Sequence, residues 1–126
     1  MMRDKTRKAF LDANFLLIPA RFKVDVFSEM QGFGKIELCT LDVVIKELER
    51  IAKGRGKSAK DAKIALQIAK RIKIIKSKSA DADIELLRLG KQGHIICTLD
   101  KELIKRLKQV GADVIALRQR KYLYML

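Results

Sequence analysis

Aspartates that close apolar strands are the residues of this sequence best placed to do chemistry. Asp12 ends the run Ala9-Phe10-Leu11, and Asp100 ends His94-Ile95-Ile96-Cys97-Thr98-Leu99. In an open α/β sheet, ligands bind outside the carboxyl ends of the strands. Two carboxylates gathered there raise each other's pKa and are unfavourable without a cation. Glu47 stands between apolar Val44-Ile45 and Leu48, and Asp81 and Asp83 open a helical stretch. Successive steps from Asp12 to Glu47, Asp81 and Asp100 are 35, 34 and 19 residues, one acid per strand–helix segment. Carboxylates are hard oxygen donors, suited to Mg2+ or Mn2+ and not to zinc or copper. Such ions activate water near neutral pH and stabilise the charge that builds on a phosphodiester in transition.

Each acid also has a plainer reading. Asp12 and Asp100 suit helix N-caps, while Asp81 and Asp83 suit a first helical turn, where the dipole favours negative charge. Glu47 can pair with Lys46 or Arg50, and Glu49 with Lys46 or Lys53. Their joint arrangement, not any single position, argues for a shared site.

Strands alternating with helices must position these acids. Strands are expected at Lys8–Asp12, Lys35–Thr40, Ile72–Lys76, Ile95–Thr98 and Val114–Leu117. A short helical stretch starts at Asn14 and ends at Pro19, and Val24–Gly32 is a glycine-ended helix. Asp42 is the expected N-cap of a helix running to Lys53, with Val43, Val44, Leu48 and Ile51 at helical spacing. Gly54–Ser58 reads as a loop, and the best candidate for mobility. Ser58–Arg71 reads as an amphipathic helix, Ala80 to Gly90 or Gly93 as another, and Lys101–Val110 as the last. Alternating strands and helices imply a parallel sheet with right-handed crossovers and helices on both faces. The expected architecture is therefore one three-layer α/β/α domain, its parallel sheet of about five strands flanked by helices.

The balance of 28 Lys and Arg against 15 Asp and Glu gives a net charge of +13 and favours polyanions. Residues 46–78 alone hold twelve basic residues against three acids. Cys39, Cys97 and the single histidine, His94, are too few for a zinc site. Both thiols read as buried and free, and His94 as the residue that opens a strand. Gly54-Arg55-Gly56-Lys57 lacks the spacing of a phosphate-binding P-loop. No apolar run approaches the roughly 20 residues of a membrane span, and no secretion signal is evident, so a cytoplasmic location is expected. The apolar ending Tyr122–Leu126 is expected to fold back onto its own sheet rather than onto a partner.

The motifs together resemble PIN domains, a family of metal-dependent nucleases. Phe10-Leu11-Asp12-Ala13-Asn14 is similar to their opening Leu-Asp-(Thr/Ala)-Asn motif. Val44–Arg50 resembles the helix that carries their second acid, with Glu47 in its place. Ala80-Asp81-Ala82-Asp83-Ile84 resembles Ala-Asp-Asp-x-Ile, with Ala82 replacing the usual second aspartate and Asp83 as a possible substitute. Thr98-Leu99-Asp100-Lys101-Glu102-Leu103 resembles Thr-x-Asp-x-(Asp/Glu)-Leu. The ending Leu117–Leu123 is similar to the branch related to small-subunit rRNA processing, in a compact form typical of archaea.

The resemblance covers residues 1–126 as one nuclease domain. It implies an endoribonuclease in which Asp12, Glu47, Asp81 and Asp100, with Asp83 as a further candidate ligand, hold one or two Mg2+ or Mn2+ ions. Asn14 and Thr98 would orient those carboxylates. Lys46, Arg50, Arg55, Lys57, Arg118, Arg120 and Lys121 are assigned to phosphate contacts on charge alone. RNA is the implied partner, together with a second copy in a homodimer and either an antitoxin or a ribosome-assembly factor. A toxin ribonuclease and a catalytically silent RNA-binding module are the alternatives.

Overall fold

Apolar runs too short for helices become the strands. The structure, a computed structural model, describes residues 6–126. In chain order its elements are β1 (Arg7–Leu11), α1 (Ala13–Leu16), α2 (Ile18–Phe22), α3 (Val26–Gln31), β2 (Ile36–Leu41), α4 (Asp42–Ala52), α5 (Gly56–Ala69), β3 (Lys73–Ile75), α6 (Ala82–Lys91), β4 (Ile95–Cys97), α7 (Lys101–Gln109), β5 (Val114–Arg118) and β6 (Tyr122–Met125). Among the described residues the strands form one sheet in the order β3-β2-β1-β4-β5-β6. All neighbours run parallel except β5 and β6. Helices flank the sheet in the expected three-layer α/β arrangement.

Central β1 pairs Phe10 with Cys39 of β2 and with Ile96 of β4. Phe10, Leu11, Leu41, Ile95 and Ile96 are at most 1% exposed, so this middle of the sheet is the core. The helices add Phe15, Leu16, Leu48, Leu86 and Leu107 to it. Ala9–Leu11 of β1 and Ile95–Cys97 of β4 are buried on both faces, which explains why these stretches are continuous apolar runs and not alternating ones. No helix among the described residues is long and apolar enough to cross a membrane.

Several boundaries differ from expectation. The ending is a sixth strand, antiparallel to β5, pairing Leu117 with Leu123. Pro19 does not end the first helical stretch but sits in the first turn of α2, where its missing N–H costs nothing. Asp42 is the first residue of α4 and not the residue before it. The expected 54–58 loop is shorter, because α5 begins at Gly56, whose φ of +81° suits glycine. Of the two glycines expected to end α6, Gly93 does so, following the C-cap Gln92 with a φ of +98°. Gly90 instead lies buried within the helix, where an added Cβ would come 3.1 Å from the Ala112 Cβ and 2.6 Å from the Leu107 Cδ2.

Candidate active site

Parallel pairing of β1 with β4 brings Asp12 beside Thr98, 86 residues away. Asp12 N–H donates to the Cys97 carbonyl (2.9 Å), so the end of β1 is fastened to the end of β4. Its side chain caps α1, Oδ1 accepting from Ala13 N–H at 2.7 Å. Oδ2 accepts from the fully buried Thr98 hydroxyl at 2.9 Å. The same hydroxyl accepts from Asp100 N–H at 3.2 Å, tying both acids to one side chain. Asp100 in turn caps α7, its Oδ1 accepting from Glu102 and Leu103 N–H. Both the cap and the shared-site readings of these aspartates therefore describe the same atoms.

Asp81 caps α6 through Ile84 N–H, and Asp83 stands in the first turn of that helix. Asp12, Asn14, Glu47, Asp81, Asp83 and Asp100 all line one cleft of about 340 Å3, walled also by Val43, Ile51 and Ala82. Burial pushes the Asp12 carboxyl above its ordinary pKa; the Thr98 and Ala13 bonds oppose that, and Asp83 and Asp100 reinforce it. The Asp83 carboxyl is also raised, first by partial desolvation, then by Asp100 and Asp81. Asp83 is thus electrostatically part of the group even though its motif position is offset.

Glu47 is the outlier. It is exposed, and Arg50 of the next helical turn donates to both its oxygens at 2.7 and 3.2 Å, holding its pKa low. The plainer pairing expected for Glu47 is therefore present while it lines the cleft. Asn14 lines the cleft as well, but among the described residues no hydrogen bond ties it to a carboxylate. Exposure on the first turn of α1 leaves it without the orienting contact that buried Thr98 makes.

Three supports were not foreseen. The buried Thr40 hydroxyl donates to the Leu11 carbonyl at 2.6 Å, pinning the peptide just before Asp12. Asp42 Oδ1 accepts from Ser77 N–H at 2.8 Å, joining α4 to the segment after β3. Glu85, 2% exposed, accepts from Lys78 N–H and from the Arg88 guanidinium, so it anchors the segment that leads to Asp81. Only the Glu85–Arg88 spacing of three residues offered a sequence signal for any of them.

An all-carboxylate donor set fits a hard divalent cation in chemistry. The spacing is wider than a coordination shell: among the described residues, no three His, Cys, Asp or Glu side chains converge on one ion position. None of the seven basic residues assigned to phosphate contacts lines this cleft. Lys46, Arg50, Arg55 and Lys57 lie on exposed α4 and α5 and the turn between them; Lys57 pairs with Asp61 at 3.2 Å. Arg118, Arg120 and Lys121 stand at the carboxyl end of β5 and in the turn that follows it, outside the cleft. His94 lies before β4, edge-on to Phe10 at 5.3 Å and away from the acids. Both cysteines are buried and free, and burial raises each thiol's pKa, that of Cys39 to about 11.

A mostly parallel sheet with acids gathered at the carboxyl ends of its central strands defines the class of molecule. The chain belongs to the PIN-like domain family, whose profile matches residues 9–120. It is 31% identical over 124 residues to Ribonuclease VapC9 of Archaeoglobus fulgidus, spanning 97% of this chain and 91% of that one. Ribonuclease VapC4 of Methanocaldococcus jannaschii is also 31% identical, over 88% of this chain and 90% of its own. The structure of the PIN domain endonuclease Utp24 superimposes with a TM-score of 0.77 at 24% identity, covering 94% of this chain and 90% of that chain. A domain of a protein of unknown function from M. jannaschii shares the fold at a TM-score of 0.64 and 17% identity, over 90% and 92% of the two chains.

Proposed function

We propose that this chain is a divalent-metal-dependent endoribonuclease acting as one unit, with Asp12, Glu47, Asp81, Asp83 and Asp100 as its acidic site. The observation that carries this reading is the meeting of acids from four separate elements in one cleft at the carboxyl end of the sheet. Mutual repulsion raises the cost of ionising Asp12 and Asp83 together, which a cation would relieve. Bound Mg2+ or Mn2+ would supply an activated water and neutralise charge on the scissile phosphate. Asp12 and Asp100, oriented through Thr98, would hold it, with Asp81 and Asp83 from α6. Glu47 would then exchange Arg50 for the ion. The basic surfaces on either side of the cleft would hold the RNA backbone.

End-labelled RNA tests this with Mn2+, with EDTA, and with the Asp12→Asn/Asp100→Asn protein. Cleavage that needs metal and disappears in the variant is expected. Metal-independent cutting, or cutting retained by the variant, sinks the assignment.

A toxin ribonuclease restrained by an antitoxin is the second reading. It is favoured by the likeness, at 31% identity, to two VapC ribonucleases. Growth arrest on expression, relieved by Asp12→Asn, is its expected mark, and harmless high-level expression counts against it. A role in rRNA processing rests only on the resemblance of residues 117–123 and ranks below it. A cytoplasmic location accompanies either reading.

A further inference from the structure

A second cavity, of about 450 Å3, opens beside the acidic cleft and is not acidic. Leu99 and Lys101 line it, while Asp100 between them lines the cleft, so the two share a wall. Phe22, Tyr124, Gln119 and Arg120 complete its chemistry. Because β5 runs parallel to β4, the turn carrying Gln119 and Arg120 emerges at the same end of the sheet as Asp100.

The turn itself is unusual. Lys121 N–H closes it onto the Arg118 carbonyl at 3.0 Å, and Gln119 and Arg120 both adopt left-handed φ, 54° and 58°. Such a turn is ordinarily made by Asn-Gly or Asp-Gly. Two long side chains are kept there instead, and backbone held in so sparsely populated a region clusters at ligand sites. The result points Arg120 across the Phe22 ring at 5.8 Å. Arg118 lies closer over Tyr124, at 4.4 Å, so the wider gap between cation and ring is the one over Phe22.

Resting on the ribonuclease reading, we infer that this cavity is a stacking subsite for one nucleotide of single-stranded RNA adjoining the bond to be cut. Phe22 is the platform and the Arg120 guanidinium its cover, since bases stack on aromatic rings and on guanidinium planes alike. Lys101 is positioned for the neighbouring phosphate. The Gln119 amide, both donor and acceptor, meets the base edge. The cavity size falls within the roughly 300–1,000 Å3 of small-ligand pockets.

The test uses oligoribonucleotides carrying 2-aminopurine at one position at a time, mixed with the protein in EDTA. Quenching confined to one or two adjacent positions is expected. Phe22→Leu and Arg120→Ala should abolish that positional signal and weaken binding roughly 5- to 150-fold. Tyr122→Leu, a ring outside the cavity, should change neither. Melting curves check folding, and exposed Arg120 carries the comparison where Phe22→Leu is unstable. Uniform quenching, or variants that bind like wild type, overturns the subsite. If RNA is still cut with Mn2+ in that case, the nuclease reading survives alone. Positional quenching with no cutting under any metal keeps the stacking of a base in this cavity but removes the nuclease, and with it the subsite's place beside a bond to be cut. Absence of RNA binding removes both.

Discussion

One hydroxyl, that of Thr98, holds the two most buried parts of the acidic site in place. It donates to Asp12 and accepts from the Asp100 backbone. Thr98→Val keeps the shape but removes both bonds, leaving a desolvated carboxylate with one donor fewer. Support of this kind around metal ligands is worth roughly 10- to 100-fold. The expected outcome is that loss in kcat/KM for RNA with Mn2+, with the melting curve showing the protein still folded; unchanged activity would mean that Thr98 merely fills space. Asp12 and Asp100 were legible in the sequence because an acid that ends an apolar strand has few places to go. Asp83 was legible only as an alternative, since its contribution is electrostatic and depends on where Asp81 and Asp100 lie. Thr40 was not legible at all. A threonine inside a strand carries no mark of which carbonyl it will meet on the neighbouring strand.

Among the elements, α6 depends on Glu85. Its carboxylate is held below the ordinary range chiefly by the Arg88 guanidinium, with Lys78 N–H assisting. A lowered folded pKa means the stabilisation is present above the unfolded value, about 4.3, and is lost as pH falls through the folded one. Glu85→Gln should therefore cost roughly 1.5–3 kcal/mol near neutrality. Denaturant melts of the two proteins should converge on acidification below about pH 4. A gap independent of pH would show that the charge does not matter. The same variant tests whether the segment before Asp81 is held from this side. Element types were read well from periodicity, whereas β6 was not read as a strand. Its apolar run gave no sign of partner or direction, and the turn before it lacks the glycine that usually announces a hairpin. Pro19 misled because proline both ends helices and begins them.

Over the whole molecule, charge governs how RNA is met. A net charge of +13 sits on the surface while the acids share one cleft, so attraction is general and repulsion local. For single-stranded RNA, log K falls with log salt by about 0.7 per neutralised phosphate. Arg55→Ala/Lys121→Ala removes an exposed cation from each side of the molecule. Filter binding across a salt series should show a slope shallower by about 1.4, and an unchanged slope would place the RNA elsewhere. The order of strands has a further consequence, in time rather than in space. Asp12 is made early, but the Thr98 it depends on follows 86 residues later. At about 5–20 residues per second, roughly 4–17 s of synthesis separate them. Until then the growing chain carries its first acid without the last. Under the ribonuclease reading, a growing chain cannot assemble its site before Thr98 and Asp100 have been made.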